Sequence, residues 1–365
     1  LISSQLSLNF FQKIKYLLAK NFFGKYYKIY KSFGVNKFFR PKITKKIEAL
    51  SLRKFKKLKK IKTKNQILNN KINNIIIGDL VYDTYLKKYN VSTIDLKDKR
   101  FKTFLLDCLR LFFFWEQYFK ENIFRALIIV HSTYLYGIPM RVALSNHIPV
   151  YRATYNQITY ITKKNYHMGK DFYNLPKIFK LFPKNKKILS LNTAKKKLEN
   201  ILDYKKTIQQ KKISKKKSIM IAMHNFYDSP HVFGKMLFPD FYEWLNYLVK
   251  LSLKTDYEWY FKPHPDNDKE DVKIVSNILK KNRNMKILSA KDDYKKILKK
   301  GINIILSCYG TVGYEYAYFG CTVINACQNN PNSSYKFNLN PKTISEYEKI
   351  LLNISKYEII PNKKK

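Results

Sequence analysis

The chain has 365 residues, which is enough for two domains of ordinary size with separate cores. Hydrophobic residues make up 45% of the sequence, which excludes an intrinsically disordered protein. The formal net charge of +45 raises the hypothesis of a nucleic-acid partner. However, only eight of the 71 basic residues are arginines, on which nucleic-acid readers rely, and AT-rich coding explains most of the lysine excess.

The sequence favours a reducing, intracellular setting with no membrane-spanning helix. The most apolar stretch, LLDCLRLFFFWEQYF from residue 105, is interrupted by Asp107, Arg110 and Glu116, and the chain start lacks a signal-peptide pattern. Four cysteines occur without CxxC spacing, so we expect buried thiols rather than disulfides or a zinc site. They are Cys108, Cys308, Cys321 and Cys327.

Residues 1–66 form a predicted basic helical arm. Within residues 1–70 there are 19 basic side chains and one acidic side chain, Glu48, and Phe, Tyr and Leu alternate with Lys at helical spacing. Such a segment either lies on an anionic membrane surface or packs on the body of the protein as a solvated extension. The lysine-rich residues 54–66 are interpreted as a separator before the first strand.

Residues 67–202 form the predicted first α/β domain. Its expected strands and helices are, in chain order, strand 73–79, helices 80–89 and 101–120, strand 125–132, helix 137–146 and strand 148–153. The strands are continuous apolar runs, which is typical of a parallel sheet buried on both faces. A polar, lysine-rich hinge follows at residues 203–217.

Residues 218–340 form the predicted second domain, in which strands and helices alternate regularly. The expected strands are 218–225, 257–263, 285–289, 302–308 and 321–326, and the expected helices are 238–253, 268–281, 291–300 and 311–319. This alternation predicts a doubly wound parallel sheet. Residues 341–365 would add a helix near 343–355 that crosses back over the first domain, and a basic tail.

Ligands of open parallel sheets bind beyond the carboxyl ends of the strands. Three loops follow strand ends in the second domain, at 224–235, 262–268 and 307–320. In the middle loop two prolines fix His264, which suits a histidine that binds the phosphate of a nucleotide donor. Pro265 belongs to the same predicted site, and Lys262 does too, although its side chain is expected to point to the opposite face.

The loop at 307–320 has the composition of an anion site. Gly310 permits a tight strand-to-helix turn, and Ser307 and Thr311 add hydroxyl groups beside the N–H groups of a helix start. Glu315, one turn into the helix, is placed to accept hydrogen bonds from ribose or sugar hydroxyls. The alternative is that the glycines only serve packing.

In the first of these loops, His224, Asp228 and His231 have the residue types of a metal triad. We favour the interpretation that they shape the donor pocket, because no fourth ligand is present nearby. No obligatory metal or other cofactor is therefore predicted.

The first domain offers two predicted catalytic bases, Asp79 and His131, each at a strand end. Asp79 is preferred, with Asp83 one turn further along and Arg141 on a later helix. Helix capping by Asp79 and Asp83 is an equally good interpretation.

KPHPD followed by S-x-x-GT-x-x-x-E-x-x-x-x-G resembles bacterial capsule-polysaccharide biosynthesis proteins of the Kdo-transferase type. It resembles more distantly the polysialyltransferases and the CDP-glycerol glycerophosphotransferases of teichoic acid synthesis. The resemblance implies a GT-B architecture, with two Rossmann-like domains facing a cleft. It also implies that His264 and Pro265 bind the nucleotide phosphate, and that Gly310, Thr311 and Glu315 hold phosphate and sugar. After Gly320 the chain departs from the Kdo-transferase pattern.

We therefore expect a metal-independent glycosyltransferase that moves a sugar from a nucleotide donor, such as a CMP-sugar, to a surface polysaccharide or its lipid-linked acceptor. It would be cytoplasmic and peripheral at the inner face of the bacterial inner membrane, with residues 1–66 on the anionic surface. Three alternatives stay open: a glycerol- or ribitol-phosphate transferase using a CDP-alcohol, a non-hydrolysing sugar epimerase, and a non-enzymatic basic RNA-binding protein.

Overall fold

The computed structural model describes residues 14, 17, 18, 24–155, 157–169, 172, 174–201, 216–264, 269–280, 282 and 284–359. The chain divides into two compact units. The first contains Leu1–Tyr82 and Asp95–Lys164, and the second contains Asp83–Ile94 and Asn165–Lys365. Both units combine helices with β-sheet, which confirms the predicted α/β class.

The helices of the first unit surround one long, largely buried helix. They are α1 (Lys25–Ser32), α2 (Lys45–Leu58), α3 (Lys64–Leu68), α4 (Gly78–Tyr89), which continues into the second unit, α5 (Lys99–Glu121) and α6 (Gly137–Ser145). Asp98 caps α5 by accepting a hydrogen bond from the Arg100 N–H at 2.7 Å. The helix interior buries eleven side chains, most of them aromatic or Leu, because one broad face is apolar.

Helix α2 packs on this unit and is not a separator. Ile47 and Ser51 are buried, and Glu48 accepts two hydrogen bonds from the Arg110 guanidinium of α5, at 2.6 and 2.7 Å. The expectation that residues 54–66 separate the arm from the body is therefore wrong, since residues 54–58 belong to α2. Lysines dominate the exposed face of this helix, so the few residues of its buried face are difficult to recognise in the sequence.

The predicted strand 73–79 is also wrong. Residues 71–76 form a small antiparallel hairpin of β1 (Lys71–Ile72) and β2 (Ile75–Ile76), and α4 begins at Gly78. The two turn residues, Asn73 and Asn74, both have positive φ angles, 49° and 66°. Asparagine tolerates this conformation, which matches the right-handed twist of a two-residue hairpin.

The main sheet of the first unit has three described strands, β3 (Leu127–Ile129), β4 (Val150–Ala153) and β5 (Ile158–Ile161). The pair β3–β4 is parallel, as expected, while β5 is antiparallel and was not predicted. The register places Ile128, Tyr151 and Tyr160 in one row across the three strands, and all three are exposed. Among the described residues, one face of this sheet is therefore exposed, contrary to the prediction of a sheet buried on both faces.

The second unit is built on a six-stranded sheet in which every pair is parallel. Its strands are β6 (Ser218–Ala222), β7 (Glu258–Lys262), β8 (Met285–Ile287), β9 (Ile304–Ser307), β10 (Thr322–Asn325) and β11 (Asn338–Leu339). The spatial order is β8-β7-β6-β9-β10-β11, which is the 3-2-1-4-5-6 order of a Rossmann fold. Five of the six strands were predicted; β11 was not.

The described helices of the second unit are α7 (Leu175–Leu181), α8 (Lys184–Ile201), α9 (Phe241–Ser252), α10 (Lys269–Lys280), α11 (Tyr294–Lys299), α12 (Val312–Tyr318) and α13 (Ile344–Leu352). Helices α9, α10 and α13 contribute to the core on one face of the sheet, and α11 and α12 contribute to the core on the other face. Alternate residues of β6 enter opposite core clusters: Ile219 and Ile221 pack on one face, and Met220 and Ala222 on the other. The continuous apolar run of this strand is thus explained by burial on both faces.

Helix α13, which was expected to cross back over the first domain, contributes Tyr347, Ile350 and Leu351 to the core of the second unit. The predicted hinge at 203–217 lies outside the described residues apart from Lys216 and Lys217. All four cysteines are buried and no two form a disulfide, as predicted. Within the described part of the chain, no helix has both the length and the apolar character needed to cross a lipid bilayer.

Candidate functional site

The strand order brings the three predicted loops together at one sheet edge. Strands β9, β6 and β7 are neighbours, and the loops that begin at Cys308, Met223 and Pro263 follow their carboxyl ends. Between β6 and β9 the direction of winding reverses, which makes this the topological switch point where open α/β sheets bind ligands. The sequence placed His224, His264 and Ser307 at this edge, and the topology agrees.

His224 is fixed by ring stacking and by hydrogen bonds to the β9 loop. Its ring stacks on Phe241 at 4.7 Å with an interplanar angle of 13°, and it contacts Tyr309 at 4.7 Å. Its Nε2 atom accepts a hydrogen bond from the Cys308 N–H and lies 3.3 Å from the Ser307 hydroxyl. A ring nitrogen that accepts a backbone N–H carries no proton, so the proton of the neutral ring is on Nδ1.

The electrostatics of the site keep His224 neutral. Burial of the ring, together with the charge of nearby His264, lowers the pKa of His224 to about 3. His224 therefore positions the β9 loop and supplies no positive charge to a ligand. His264 is partly exposed and lies close enough to influence His224. Pro265 lies outside the described residues.

The loop after β9 has the tight turn expected from its glycines. The Gly310 N–H lies 3.4 Å from the Ser307 hydroxyl, and the Gly313 N–H donates to the Gly310 carbonyl at 3.0 Å. The N–H groups of Tyr314 and Glu315 both donate to the Thr311 carbonyl. The turn itself thus uses several of the N–H groups that the sequence assigned to an anion, while Thr311 is exposed at its apex.

Gly310 allows close approach at this point. A Cβ atom there would lie 3.3 Å from the Ser307 hydroxyl oxygen and 3.7 Å from Cε1 of His224. Any side chain at position 310 would therefore fill the space between the β9 loop and His224. Glycine leaves backbone open to a ligand beside both residues.

Glu315 is held in place by a neighbouring helix. The Tyr294 hydroxyl of α11 donates to one carboxylate oxygen of Glu315 at 2.5 Å. Burial, reinforced by this bond and the Glu315 charge, raises the pKa of Tyr294, so the phenol stays protonated and remains a donor. A carboxylate anchored through one oxygen is well oriented to accept hydroxyl groups with the other.

Lys262 contacts the chain segment that follows β8. Its ammonium group donates to the Ala290 carbonyl, which follows β8, at 2.8 Å. Burial lowers the pKa of Lys262, with Asp292 opposing the shift. The orientation of Lys262 relative to His264 stays a prediction.

Asp228 and His231 do not converge on His224. His231 is buried and its Nδ1 atom lies 2.6 Å from a carboxylate oxygen of Asp83, whose other oxygen accepts the His231 N–H at 3.2 Å. Asp228 is exposed in the preceding turn. Among the described residues, no group of three or more His, Cys, Asp or Glu side chains is placed to hold a metal ion.

Asp79, the preferred base, forms a buried ion pair. The Arg141 guanidinium donates to both carboxylate oxygens, at 2.5 and 2.6 Å, and also to the Ile76 carbonyl at 2.8 Å. A carboxylate in a bidentate ion pair binds a proton weakly, because protonation would leave the guanidinium without its counter-charge. The geometry therefore favours a structural role for Asp79 at the start of α4.

His131, the second candidate base, is exposed in the first unit and accepts hydrogen bonds from Thr133. The Thr133 N–H donates to Nδ1 at 3.3 Å, and the Thr133 hydroxyl contacts the same atom. With Nδ1 as acceptor, the neutral ring carries its proton on Nε2, which then donates rather than accepts.

The sequence interpretation missed an asparagine-rich loop at the same sheet edge. The Asn340 carboxamide oxygen, just beyond β11, accepts from Nδ2 of both Asn325 and Asn330, at 2.9 and 2.8 Å. Asn332 lies so close to α12 that a Cβ atom on Gly313 would be 2.3 Å from its Nδ2. Buried amides at the carboxyl ends of β10 and β11 extend the polar surface of the candidate site. The sequence feature that could have revealed this loop is the run of asparagines directly after a predicted strand.

No protein-family model and no curated protein matches the chain. A comparison with solved structures matches the UDP-GlcNAc 2-epimerase from Neisseria meningitidis bound to UDP-GlcNAc. The match has 14% sequence identity and a TM-score of 0.31, and it covers 69% of this chain and 74% of that chain.

Proposed function

We propose that the second unit binds a nucleotide-activated sugar at its topological switch point and that the protein is a metal-independent glycosyltransferase. The observation that carries the proposal is the juxtaposition of His224, His264 and the Ser307–Thr311 turn at the carboxyl ends of neighbouring parallel strands. Rossmann-type sheets bind nucleotides in this location, and the glycine at position 310 leaves room for a phosphate against the backbone.

Each residue has a proposed role that follows from its contacts. His264 donates a hydrogen bond to the phosphate oxygens, or attracts them with a positive charge when its ring is protonated. Either interaction stabilises the leaving nucleotide. Neutral His224 holds the β9 loop, and Ser307 and Thr311 offer hydroxyl donors. Glu315, anchored by Tyr294, accepts from a ribose or sugar hydroxyl. Charge stabilisation by these groups requires no metal ion.

The acceptor class follows from the motif resemblance. KPHPD and the S-x-x-GT turn support a surface polysaccharide, or its lipid-linked precursor, as the molecule that receives the sugar, and the basic residues 1–66 support an anionic membrane surface as the place of action. Asp79 is neutralised by Arg141, and His131 presents a donor. The residues at the switch point are therefore proposed to bind the donor and to stabilise the leaving group, and neither Asp79 nor His131 is assigned as the general base.

The test is a turnover assay with a panel of activated donors. The protein is incubated with a lipid extract and, separately, with UDP-, GDP- and CMP-sugars and with CDP-glycerol and CDP-ribitol, and the released nucleotide and the product are analysed. Sugar transfer predicts a glycosylated product without new phosphate. A phosphate-containing product from a CDP-alcohol would replace the proposal with a phosphoalcohol transferase, and an epimerised nucleotide sugar without transfer would replace it with an epimerase.

A further inference from the structure

The first unit contains a large apolar chamber that the proposed donor site does not use. Its volume is about 710 Å³, which falls in the range of small-molecule binding pockets. The chamber runs along β3, an edge strand among the described strands, and its other walls come from α5, α6 and the segment 25–38. Apart from His131, its lining side chains are apolar or tyrosine.

The lining changes from a buried floor to an exposed mouth. The floor is formed by buried side chains that include Phe38, Leu111 and Trp115. At the mouth, Ile128 and Val130 are 70% and 72% exposed. These exposed aliphatic residues continue the apolar lining to the surface, and a contiguous exposed apolar patch is typical of a surface that binds an apolar ligand.

The chain segment that closes one side of the chamber is strongly basic. Residues 25–38 supply Tyr30, Val35 and Phe38 to the lining. The same segment contains Lys25, Lys28, Lys31 and Lys37, all exposed, and no acidic residue. The chamber therefore combines an apolar interior with a cationic neighbourhood, which complements an amphiphile with a hydrocarbon chain and an anionic headgroup.

We propose that this chamber binds the hydrocarbon chain of a membrane lipid whose phosphate headgroup is held by the lysines of residues 25–38. The chain enters beside Ile128 and Val130, at the exposed part of the lining, and contacts Trp115. This site is distinct from the nucleotide site, and it holds whether or not the second unit binds a nucleotide sugar. If both proposals hold, the lipid is a candidate acceptor or a membrane anchor.

The test uses the full-length protein and dodecyl phosphate below its micelle concentration. Each buried methylene contributes about 0.8 kcal/mol, so decyl phosphate, shorter by two methylenes, should bind about fifteenfold more weakly. Dodecyl maltoside, which has the same chain and a neutral headgroup, should bind more weakly than dodecyl phosphate. Raising the salt concentration should reduce this headgroup difference.

The location of the chain is read from tryptophan fluorescence. The chain has three tryptophans, and of these Trp115 lines the chamber while Trp244 and Trp259 lie in the core of the second unit. Dodecyl phosphate brominated at its chain end should therefore quench only the Trp115 emission. Trp115→Phe should abolish the quenching.

Two matched substitutions separate the chamber from the open face of the sheet. Ile128→Asp puts a charge at the mouth, whereas Ile158→Asp makes the same change at a residue of β5 that is 74% exposed and does not line the chamber. Because both side chains are exposed, both variants should fold. Ile128→Asp should weaken dodecyl phosphate binding at least tenfold, and Ile158→Asp should leave it within twofold of the wild type.

Three results would overturn the proposal. The first is equal loss of binding in the two variants, which would indicate non-specific adsorption to the sheet face. The second is binding without chain-length dependence or Trp115 quenching. The third is binding only after removal of residues 1–23, which would indicate that the start of this chain occupies the chamber.

Discussion

Replacing Asp79 with asparagine should destabilise the first unit severely, because it leaves a buried guanidinium without its counter-charge. The Asp79 side chain is 12% exposed and the Arg141 side chain 3% exposed. Removing one partner of a buried, hydrogen-bonded ion pair typically costs about 3–5 kcal/mol. Asparagine keeps the shape of the side chain, so the loss would come from the charge.

The control is Glu48→Gln. Glu48 also makes a bidentate pair with an arginine in the same unit, but its side chain is 34% exposed and that of Arg110 is 26% exposed. Water compensates such a pair, so this substitution should cost about 1 kcal/mol or less. Asp79→Leu combined with Arg141→Met removes both buried charges and should recover much of the stability that Asp79→Asn loses.

Urea unfolding, followed by circular dichroism and by tryptophan fluorescence, measures these differences in the free energy of unfolding. The structural interpretation of Asp79 is refuted if Asp79→Asn is no less stable than Glu48→Gln and yet abolishes sugar transfer. In that case Asp79 would be the general base that its position at the start of α4 first suggested.

Four further substitutions test contacts of the candidate site. Burial keeps the pKa of His224 at about 3, below the 6.5 of an unfolded chain, so only the unfolded state gains a proton as the pH falls between these values. The free energy of unfolding should therefore drop by roughly 1.4 kcal/mol per pH unit in this range. Urea titrations at pH 7 and pH 5 should show that His224→Gln removes this pH dependence. Gly313→Ala should lower the free energy of unfolding by about 1–3 kcal/mol, because the new Cβ atom would lie 2.3 Å from the Asn332 amide nitrogen. Gly310→Ala should cost less, because the nearest atom to its Cβ would be 3.3 Å away. Urea unfolding of both variants measures this difference, and the reverse order would contradict the packing. Tyr294→Phe should lower the stability by about 1–2 kcal/mol, since it removes the donor to the Glu315 carboxylate, and an unchanged free energy of unfolding would show that the bond contributes nothing.

The fold of the second unit could be predicted because its sequence signals agree with one another. Each buried strand is a continuous apolar run, and helices begin after capping residues such as Asp240, Asp293 and Thr343. The edge strand β11 escaped prediction because it has two residues, too few for a hydrophobic pattern. The spatial order of the strands came from the structure.

The first unit was harder to predict because its signals conflict. The run NNIIIGD has the apolar character of a strand, but it contains the second strand of a hairpin and the first residues of a helix. The asparagine pair that makes the turn was a usable signal, since two adjacent residues with positive φ favour a two-residue hairpin loop. High lysine content likewise obscured the buried stripe of α2.

The candidate site could be located from the sequence but its contacts could not. Strand ends fixed where His224, His264 and Ser307 would lie. The hydrogen-bond and ion-pair partners that decide what each of the predicted side chains can do come from distant parts of the chain. Asp83 is 148 residues from His231, and Arg141 is 62 residues from Asp79. Such pairs depend on the three-dimensional packing, and no local pattern encodes them.

The most direct test of the donor site is a thermal-shift titration of the wild type with CMP, CDP, UDP, GDP and a single-stranded RNA. The same titration is made on His264→Ala and on the control His147→Asn, which changes an exposed histidine of the first unit. A nucleotide at 100 times its dissociation constant should add roughly 2.7 kcal/mol of stability to the wild type and to the control, and much less to His264→Ala. Equal stabilisation of all three proteins, or stabilisation by RNA alone, would contradict a nucleotide site at the switch point of the second unit.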